Sequence, residues 1–471
     1  MISRELTGGN KIDYVLMSLY LSLIGIGWLM IYAVGHVKYA EMEFAEFMVK
    51  SPAGKQAMFI GVSLVLLLLI FTIDGKFWRI FAYPMYAAGI LLLMLVLIFG
   101  REINGAKAWF NIAGFGFQPV EVAKLGTALA LSSYLSSPSI SLRDRNTVLT
   151  VLGLLAIPIF FIMLQPDAGS MLVFISFSIM LFRNGLSPLP YIIGIGLVSV
   201  FILALVFNAN ELVMYLLMLV SLIFSFNISE NQRVWLGAVV VMIGASTFCY
   251  FNWNPQMGLN LMLLSVLIFI VVHSRRGRFR LVILTTGALL LSTIMVYSTS
   301  FIVNNVLKRH QRERIDVWLR IDKCDPRGAA YNVIQSKMAI GSGSWQGKGF
   351  LEGTMTKLNY IPEQHTDFIF CTIGEEHGFI GVFALIAIFV LFLYRMVQIA
   401  ERQKANFVRL YAYCLIGIFF FHLFINVGMT MGLLPVVGIP LPFISAGGSS
   451  LLGFTAMLGV LLKLDSNRYS V

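Results

Sequence analysis

Charge is what this chain has least of. Asp, Glu, Lys and Arg supply 12% of its 471 residues against 58% hydrophobic ones, which excludes an ordinary soluble domain. Cysteine is scarce as well. Cys249, Cys324, Cys371 and Cys414 show no CxxC spacing, and three of them fall in or beside apolar runs. That excludes a disulfide framework and a zinc site and leaves them as small buried apolar groups. A cleavable signal is missing too. The first apolar run, 14–34, is too long for a signal core and lacks a small-residue cleavage site, so it is expected to stay as the first helix.

What the chain has in quantity is apolar sequence in blocks of about 20 residues, the length that crosses a bilayer as a helix. Blocks at 14–34, 56–73, 77–99, 147–164, 169–182, 189–206, 212–226, 235–251, 259–273, 280–302, 368–394, 407–431 and 449–464, with a helix after Pro119, predict about fourteen spans. The expected fold class is an all-α polytopic membrane protein with one large extracytoplasmic loop. The net charge of +11 sits mostly in loops between apolar blocks, so lipid headgroups rather than nucleic acid are its counter-charge. With the N-terminus cytoplasmic, short inner loops hold Lys76 and Arg79, Arg143 and Arg145, Arg183, Arg233, Arg275 to Arg280, and Arg395 to Arg409. The short outer loops after 206, 251 and 431 hold no Lys or Arg. This asymmetry places both termini inside and three turn-rich loops outside.

The first of these outer loops is CDPRGAAYNVIQSKMAIGSGSWQGKG, 324–349, Gly-rich, basic and interrupted by Pro326, where Asp325 is the candidate catalytic carboxylate. Its competing role is a turn-capping Asp before Pro. In REINGAKAWFNIAGFGFQP, from Arg101, Trp109 reads as an interfacial anchor or as a surface for sugar or lipid. The third loop, GLLPVVGIPLPFISAGGSS, ends in Gly447, Gly448, Ser449 and Ser450, whose amides and hydroxyls could bind an anionic oxygen or form a bare turn.

Polar residues near or inside the apolar blocks are the remaining candidates. Glu121 and Lys124, three apart, share one helix face as an internal ion pair or part of a substrate path. Asp167 is placed to cap the helix that follows it. His365, Thr366 and Asp367 in PEQHTDFIF lie at the interface, as ligands or as hydrogen-bonded structural residues. Glu375 and Glu376 fall in a membrane block, costly unless satisfied. The segment VLKRHQRERIDVWLRI spaces Leu307, Ile315, Trp318 and Leu319 as an amphipathic helix.

Taken together, NGAKAWF, QPVEVAK, QPDAGS, DPRGAAYNVIQSKMAIGSGSWQGKG, PEQHTDFIF, GEEHG and LPVVGIPLPFISAGGSS resemble the SEDS family of membrane peptidoglycan glycosyltransferases, in the same order and over most of the chain. The wording NVGMTMGLLPVVGIPLP and the lack of long hydrophilic tails resemble the elongation members rather than the division members. The resemblance implies polymerisation of lipid II into glycan strands at the outer face of the cytoplasmic membrane. Asp325 matches the family's essential aspartate before Pro-x-Gly. Trp109, Glu121, Lys124, Lys348, His365, Thr366, Asp367, Ser445 and Gly447 match other motif positions. A class B penicillin-binding protein, the crosslinking transpeptidase, and proteins of the elongation machinery are the implied partners.

Such a polymerase needs a base for an acceptor sugar hydroxyl and a leaving diphosphate on the donor, and a direct inverting displacement requires no enzyme nucleophile. Asp325 is the expected base, with Lys337 and Lys348 neutralising the diphosphate, with or without a divalent Mg or Mn ion. The domains expected are 1–188, N-terminal core helices; 189–302, helices including an insertion of about four relative to a ten-helix family core; 303–366, the catalytic loop; and 367–471, C-terminal core helices. Two departures stand out: Ala446 where the family commonly has Tyr, and Ala329-Ala330 before Tyr331. A flippase for polyprenyl-diphosphate-linked lipid II and a non-enzymatic scaffold for the transpeptidase are the competing functions. The first would need its critical charges near the midplane.

Overall fold

The computed structural model describes residues 12–468 except 40, 104, 113, 114, 229–231, 308, 322, 323, 326, 327, 329 and 359. Pro326 and Ala329 therefore lie outside the described residues. The chain divides into two compact units, one formed by 1–187 with 322–471 and the other by 188–321.

The first unit opens with α1 (Tyr14–Tyr39), α2 (Phe44–Lys50), α3 (Pro52–Thr72), α4 (Gly75–Ile80) and α5 (Ala82–Phe99). Their starts are written locally. The Asp13 carboxylate accepts from Leu16 N at 2.9 Å, Ser51 Oγ from Gly54 N at 2.9 Å with Pro52 at the first helical position, and Asp74 from Lys76 N at 3.1 Å. Each cap satisfies an amide that the helix leaves without a carbonyl. Next come three short strands, β1 (Arg101–Ile103), β2 (Ala106–Ile112) and β3 (Phe115–Phe117), an antiparallel sheet in the order β1-β2-β3. The sequence reading treats this stretch as a loop. β1 and β3, three residues each, are too short to carry an alternation signal, but Arg101 pairs with Trp109 and Phe110 with Phe117.

Helices α6 (Val120–Leu135), α7 (Arg145–Leu164), α8 (Ala168–Ile175) and α9 (Phe177–Arg183) complete the N-terminal half. Asp167 caps α8 as expected, with Oδ1 accepting from Ser170 N at 3.0 Å. The second unit holds α10 (Leu189–Val206), α11 (Ala209–Phe226), α12 (Gln232–Asn252), α13 (Pro255–Arg275), α14 (Phe279–Phe301), extended by a π turn at Ile302–Val306, and α15 (Arg309–Leu319). The amphipathic segment is thus helical. The first unit resumes with α16 (Tyr331–Ser342), α17 (Thr354–Lys357), α18 (Ile369–Glu401), α19 (Asn406–Thr430) and α20 (Gly448–Ser466).

Among the described residues, 12 helices are long and apolar enough to cross a membrane, so the chain is a multi-pass membrane protein. The fourteen expected spans are not all reached. Helix α6 has 16 residues, and the apolar stretch Ala168–Arg183 is broken at Ser176 into α8 and α9.

The core of the first unit is aromatic. Phe443, 2% exposed, meets Tyr20 of α1, Phe392 of α18, Phe419 of α19 and Phe454 of α20 with ring centroids 5.1–5.9 Å apart. Such contacts add about 0.5–1.5 kcal/mol per pair beyond area burial. The loop from 433 to 447 therefore does not simply lie outside the helices. Its Ile439, Leu441, Phe443 and Ile444 are core residues. At one end of the unit, Asp13 accepts from Arg395 and Arg402, and Arg402 also binds Asp465. Burial raises the Asp13 pKa, but the Arg395 hydrogen bond, the Leu16 amide and Arg402 outweigh it and hold the carboxyl below its usual range.

Candidate active site

Helix α18 is interrupted. Gly378 has φ 61° and ψ −159°, which no helix contains, and the break frees carbonyls before it and amides after it. The segment following α16 supplies the missing partners. Lys348 N donates to Glu375 O at 3.0 Å and Gly349 N to Glu376 O at 2.9 Å. In return, Phe379 N donates to Ser344 O at 2.9 Å and Ile380 N to Trp345 O at 3.2 Å. A broken helix at a membrane is tolerated where its backbone is satisfied in this way. The approach is so close that a Cβ at Gly343 would fall 1.9 Å from Gly374 O and one at Gly347, φ +80°, 2.1 Å from Glu376 O. That is why GSGSWQGKG and GEEHG carry glycine where they meet.

Beside the break, Glu375 is fully buried and organises its surroundings. Its Oε1 accepts from Lys348 Nζ at 2.7 Å, Met355 N at 2.9 Å and Thr354 Oγ1 at 3.2 Å. Its Oε2 accepts from Thr356 N at 2.9 Å and Thr356 Oγ1 at 2.8 Å. Lys348 is thereby tied to the start of α17 and to α18. Gln364 continues the network, donating to Thr356 Oγ1 at 3.2 Å and Thr372 Oγ1 at 3.0 Å.

The next residues in sequence are zipped onto the loop before α20. Ala446 N donates to His365 O at 2.8 Å, Ser445 Oγ to Thr366 O at 2.6 Å, and Leu441 N to Ser445 Oγ at 2.8 Å. Asn426 of α19 donates to Asp367 O at 2.9 Å and Ile439 O at 2.7 Å. His365, Thr366, Asp367 and Ser445 are brought together, largely through their backbones. Burial pushes the His365 imidazole below its ordinary pKa, against the opposing pull of the Glu363 carboxylate.

The turn into α20 is bound from two further segments, one of them tied in turn to Asp167. Gly447 N donates to Gln56 Oε1 of α3 at 3.1 Å, and Gln118 N to Ser449 Oγ at 2.9 Å. Gln118 Nε2 donates to Asp167 Oδ2 at 3.2 Å, which also accepts from Ser170 Oγ at 2.7 Å. Gly448, the first residue of α20, lies against Phe59, whose ring atoms would be 2.3–2.5 Å from a Cβ there.

One turn into α6, Glu121 and Lys124 form an ion pair of 2.9 Å, 4% and 2% exposed. Lys124 Nζ also donates to His422 Nε2 at 3.3 Å and stands 4.9 Å from the Phe454 ring centroid. His422 Nδ1 donates to Pro440 O at 3.1 Å. Losing one partner of a buried pair costs about 3–5 kcal/mol, so this cluster is a strong tie between α6, α19 and α20.

Asp325, Lys337 and Trp109 are the remaining candidates. Asp325 is exposed at the turn before α16, its carbonyl accepting from Gly328 N at 3.1 Å. Helix α16 buries Val333, Ser336 and Ala339 at three-residue intervals, and Ser336 Oγ donates to Thr430 O of α19 at 2.8 Å. That leaves Lys337 exposed, its Cδ 3.4 Å from where a Cβ on Gly432 would stand. Trp109, half-buried on β2, covers Gly116 of β3. The sequence reading missed Gln56, Gln118, Gln364, Asn426 and His422. Their signal was a lone polar residue in or beside an apolar run, where burial demands a partner.

Fold and site together define a multi-pass helical membrane protein whose polar loops are bound to one another beside a broken helix. The family model for FtsW, RodA and SpoVE cell cycle proteins matches residues 14–215 and 209–470. The chain belongs to that family, the one its motifs resemble. It is 30% identical to peptidoglycan glycosyltransferase RodA of Treponema pallidum over 98% of this chain and 100% of that protein. It is 29% identical to peptidoglycan glycosyltransferase MrdB of Escherichia coli K12 over 87% and 84%. Among solved structures, a chain from work on polymerization and crosslinking by a peptidoglycan synthase complex matches with TM-score 0.60, 24% identity and coverage of 98% and 99%. Thermus thermophilus rod shape-determining protein RodA matches with TM-score 0.56 and 22% identity, covering 98% of both chains.

Proposed function

We propose that this chain is a peptidoglycan glycosyltransferase that polymerises lipid II into glycan strands at the outer face of the cytoplasmic membrane during cell elongation. Asp325 acts as general base. It takes the proton from the acceptor sugar hydroxyl as that oxygen attacks the donor's anomeric carbon, and the lipid-linked diphosphate leaves with the bonding electrons. The displacement inverts the anomeric centre. The observation that carries this reading is the place of Asp325: its carboxylate is exposed on the segment leading into α16, the helix that also presents Lys337.

Lys337 is the cation for the departing diphosphate on the exposed face of α16. Lys348, paired with Glu375 and bonded to Thr354, fixes the loop and keeps one N–H for the diphosphate. Trp109, His365, Thr366, Asp367, Ser445, Gly447 and Gly448 form the walls that receive the sugars and phosphates. Among the described residues no three of His, Cys, Asp and Glu gather to hold a metal ion. A Mg or Mn ion would be held chiefly by substrate phosphates and water, leaving Asp325 as the base. The partner is a class B penicillin-binding protein, a proposal supported by the synthase complex among the solved relatives.

Purified protein incubated with lipid II, alone and with a transpeptidase whose own catalytic serine is blocked, is expected to give a ladder of glycan products on a gel. Lipid II moved across a vesicle membrane without polymer would favour the flippase. Neither product would favour the scaffold.

A further inference from the structure

The second unit contains a feature that glycan synthesis does not use. The C-termini of α11 and α13 and the N-termini of α12 and α14 lie at one end of its bundle, where a cleft of about 630 Å³ opens. Its lining combines Phe226, Ile228 and Leu281 with Asn227, Gln232, Arg278 and Arg280. No acidic side chain is among these. In sequence this end carries Arg233, Arg275, Arg276, Arg278 and Arg280 against the single carboxylate Glu230. The side chains of Arg278 and Arg280 make no hydrogen bond or ion pair with the described residues, so the cleft holds two cations whose side-chain donors are unengaged by them.

The surface leading from the cleft is apolar. On α14, Phe279 is 59% exposed, Ile283 68%, Leu284 62% and Leu290 63%. Those residues form a strip along a helix that is otherwise a membrane span. A cationic, hydrogen-bonding pocket at the end of a span, continuous with a hydrocarbon-facing strip, matches a molecule with an anionic phosphate head and acyl chains.

We propose that this cleft is a binding site for one anionic phospholipid, its phosphate bridged by Arg278 and Arg280 and its chains lying along α14. Arg is suited to this because its planar fork meets two phosphate oxygens at once. Asn227 and Gln232 stand beside them for the ester or headgroup hydroxyls. Basic pockets between membrane helices bind anionic headgroups through the same chemistry. The site is independent of the glycosyltransferase reading, since none of its residues belongs to the first unit.

The test uses the full-length protein in nanodiscs of phosphatidylglycerol mixed with phosphatidylcholine, released into detergent and weighed by native mass spectrometry. One phosphatidylglycerol is expected to remain bound. The double substitution Arg278→Glu and Arg280→Glu is expected to weaken its retention about thirty-fold or more, at about one kcal/mol for each charge removed. Arg278→Lys with Arg280→Lys should keep most of it. The exposed Arg79→Glu, in the other unit, should change nothing and controls for loss of basic charge in general. Equal retention of phosphatidylcholine, displacement of the lipid by inorganic phosphate at millimolar concentration, or undiminished retention by a folded double-Glu variant would each overturn the proposal.

Discussion

Asp325→Asn is expected to lower the rate of glycan polymerisation about 10²–10⁴-fold, the range lost when a positioned base is removed. The substitution keeps the size of the side chain and leaves the Gly328 N to 325 O turn hydrogen bond untouched, because that bond uses the backbone. Folding, detergent stability and complex formation are therefore expected to match the parent protein. Asp325→Glu retains a carboxylate one methylene further out and should recover part of the rate. The measurement is single-turnover product formation from lipid II at saturating substrate, where a lost base lowers the maximal rate. Near-normal polymerisation by Asp325→Asn would remove Asp325 from the chemistry and return it to the turn-capping role its place before Pro326 also suits.

Gly347→Ala prevents the protein from reaching its native fold in useful yield. Two penalties act together at this position. Its φ of +80° is one that L side chains rarely adopt, and an added Cβ would stand 2.1 Å from Glu376 O, a backbone atom fixed inside α18. The backbone would have to retreat from the helix break, breaking the Lys348 N and Gly349 N hydrogen bonds and leaving two buried carbonyls unpaired, at about 1–3 kcal/mol each. Gly343→Ala, with 1.9 Å to Gly374 O, should behave similarly. Gly341→Ala is the internal control. It lies in α16 with nothing within 4 Å of an added Cβ, and is expected to be neutral or slightly stabilising. Yield of monodisperse protein and its thermal unfolding in detergent read all three. A well-behaved Gly347→Ala protein would mean that the 343–349 segment does not dock on the broken helix as described.

Much of the fold was legible because a bilayer imposes a length and a composition on whatever crosses it. The blocks at 189–206 and 407–431 predict α10 and α19 almost to the residue. Asp167 announced its cap through its position between Pro166 and a glycine-containing helix start. The sheet at 101–117 was not legible as a sheet, since the two strands that flank β2 have three residues each and no period to read. Nor was the break at Gly378. GEEHG lies inside a continuous apolar block, and only the docked segment from Gly343 to Gly349 shows that the helix is interrupted and what repairs it.

For the site, the motif segments were visible, yet their mutual contacts were not. Lys348 and Glu375 are separated by |i−j| = 27 and were read as unrelated features, one a phosphate-binding cation and the other a costly buried charge. Their ion pair answers the second question and narrows the first. Likewise, Thr366 and Ser445 were separate motif positions until a 2.6 Å hydrogen bond joined them. Side-chain partners far apart in sequence are set by tertiary packing, which one sequence does not state.

For Asp325 to be the base we propose, its segment must lie on the outside of the cell membrane, where the lipid-linked substrate is presented. Cys324, next to it, is half-exposed, whereas Cys249, Cys371 and Cys414 are buried. A membrane-impermeant maleimide added to intact spheroplasts should therefore label the native protein, and the label should vanish in Cys324→Ser. Labelling of Cys324 that appears only after the membrane is permeabilised would put Asp325 on the cytoplasmic side and rule it out as the base.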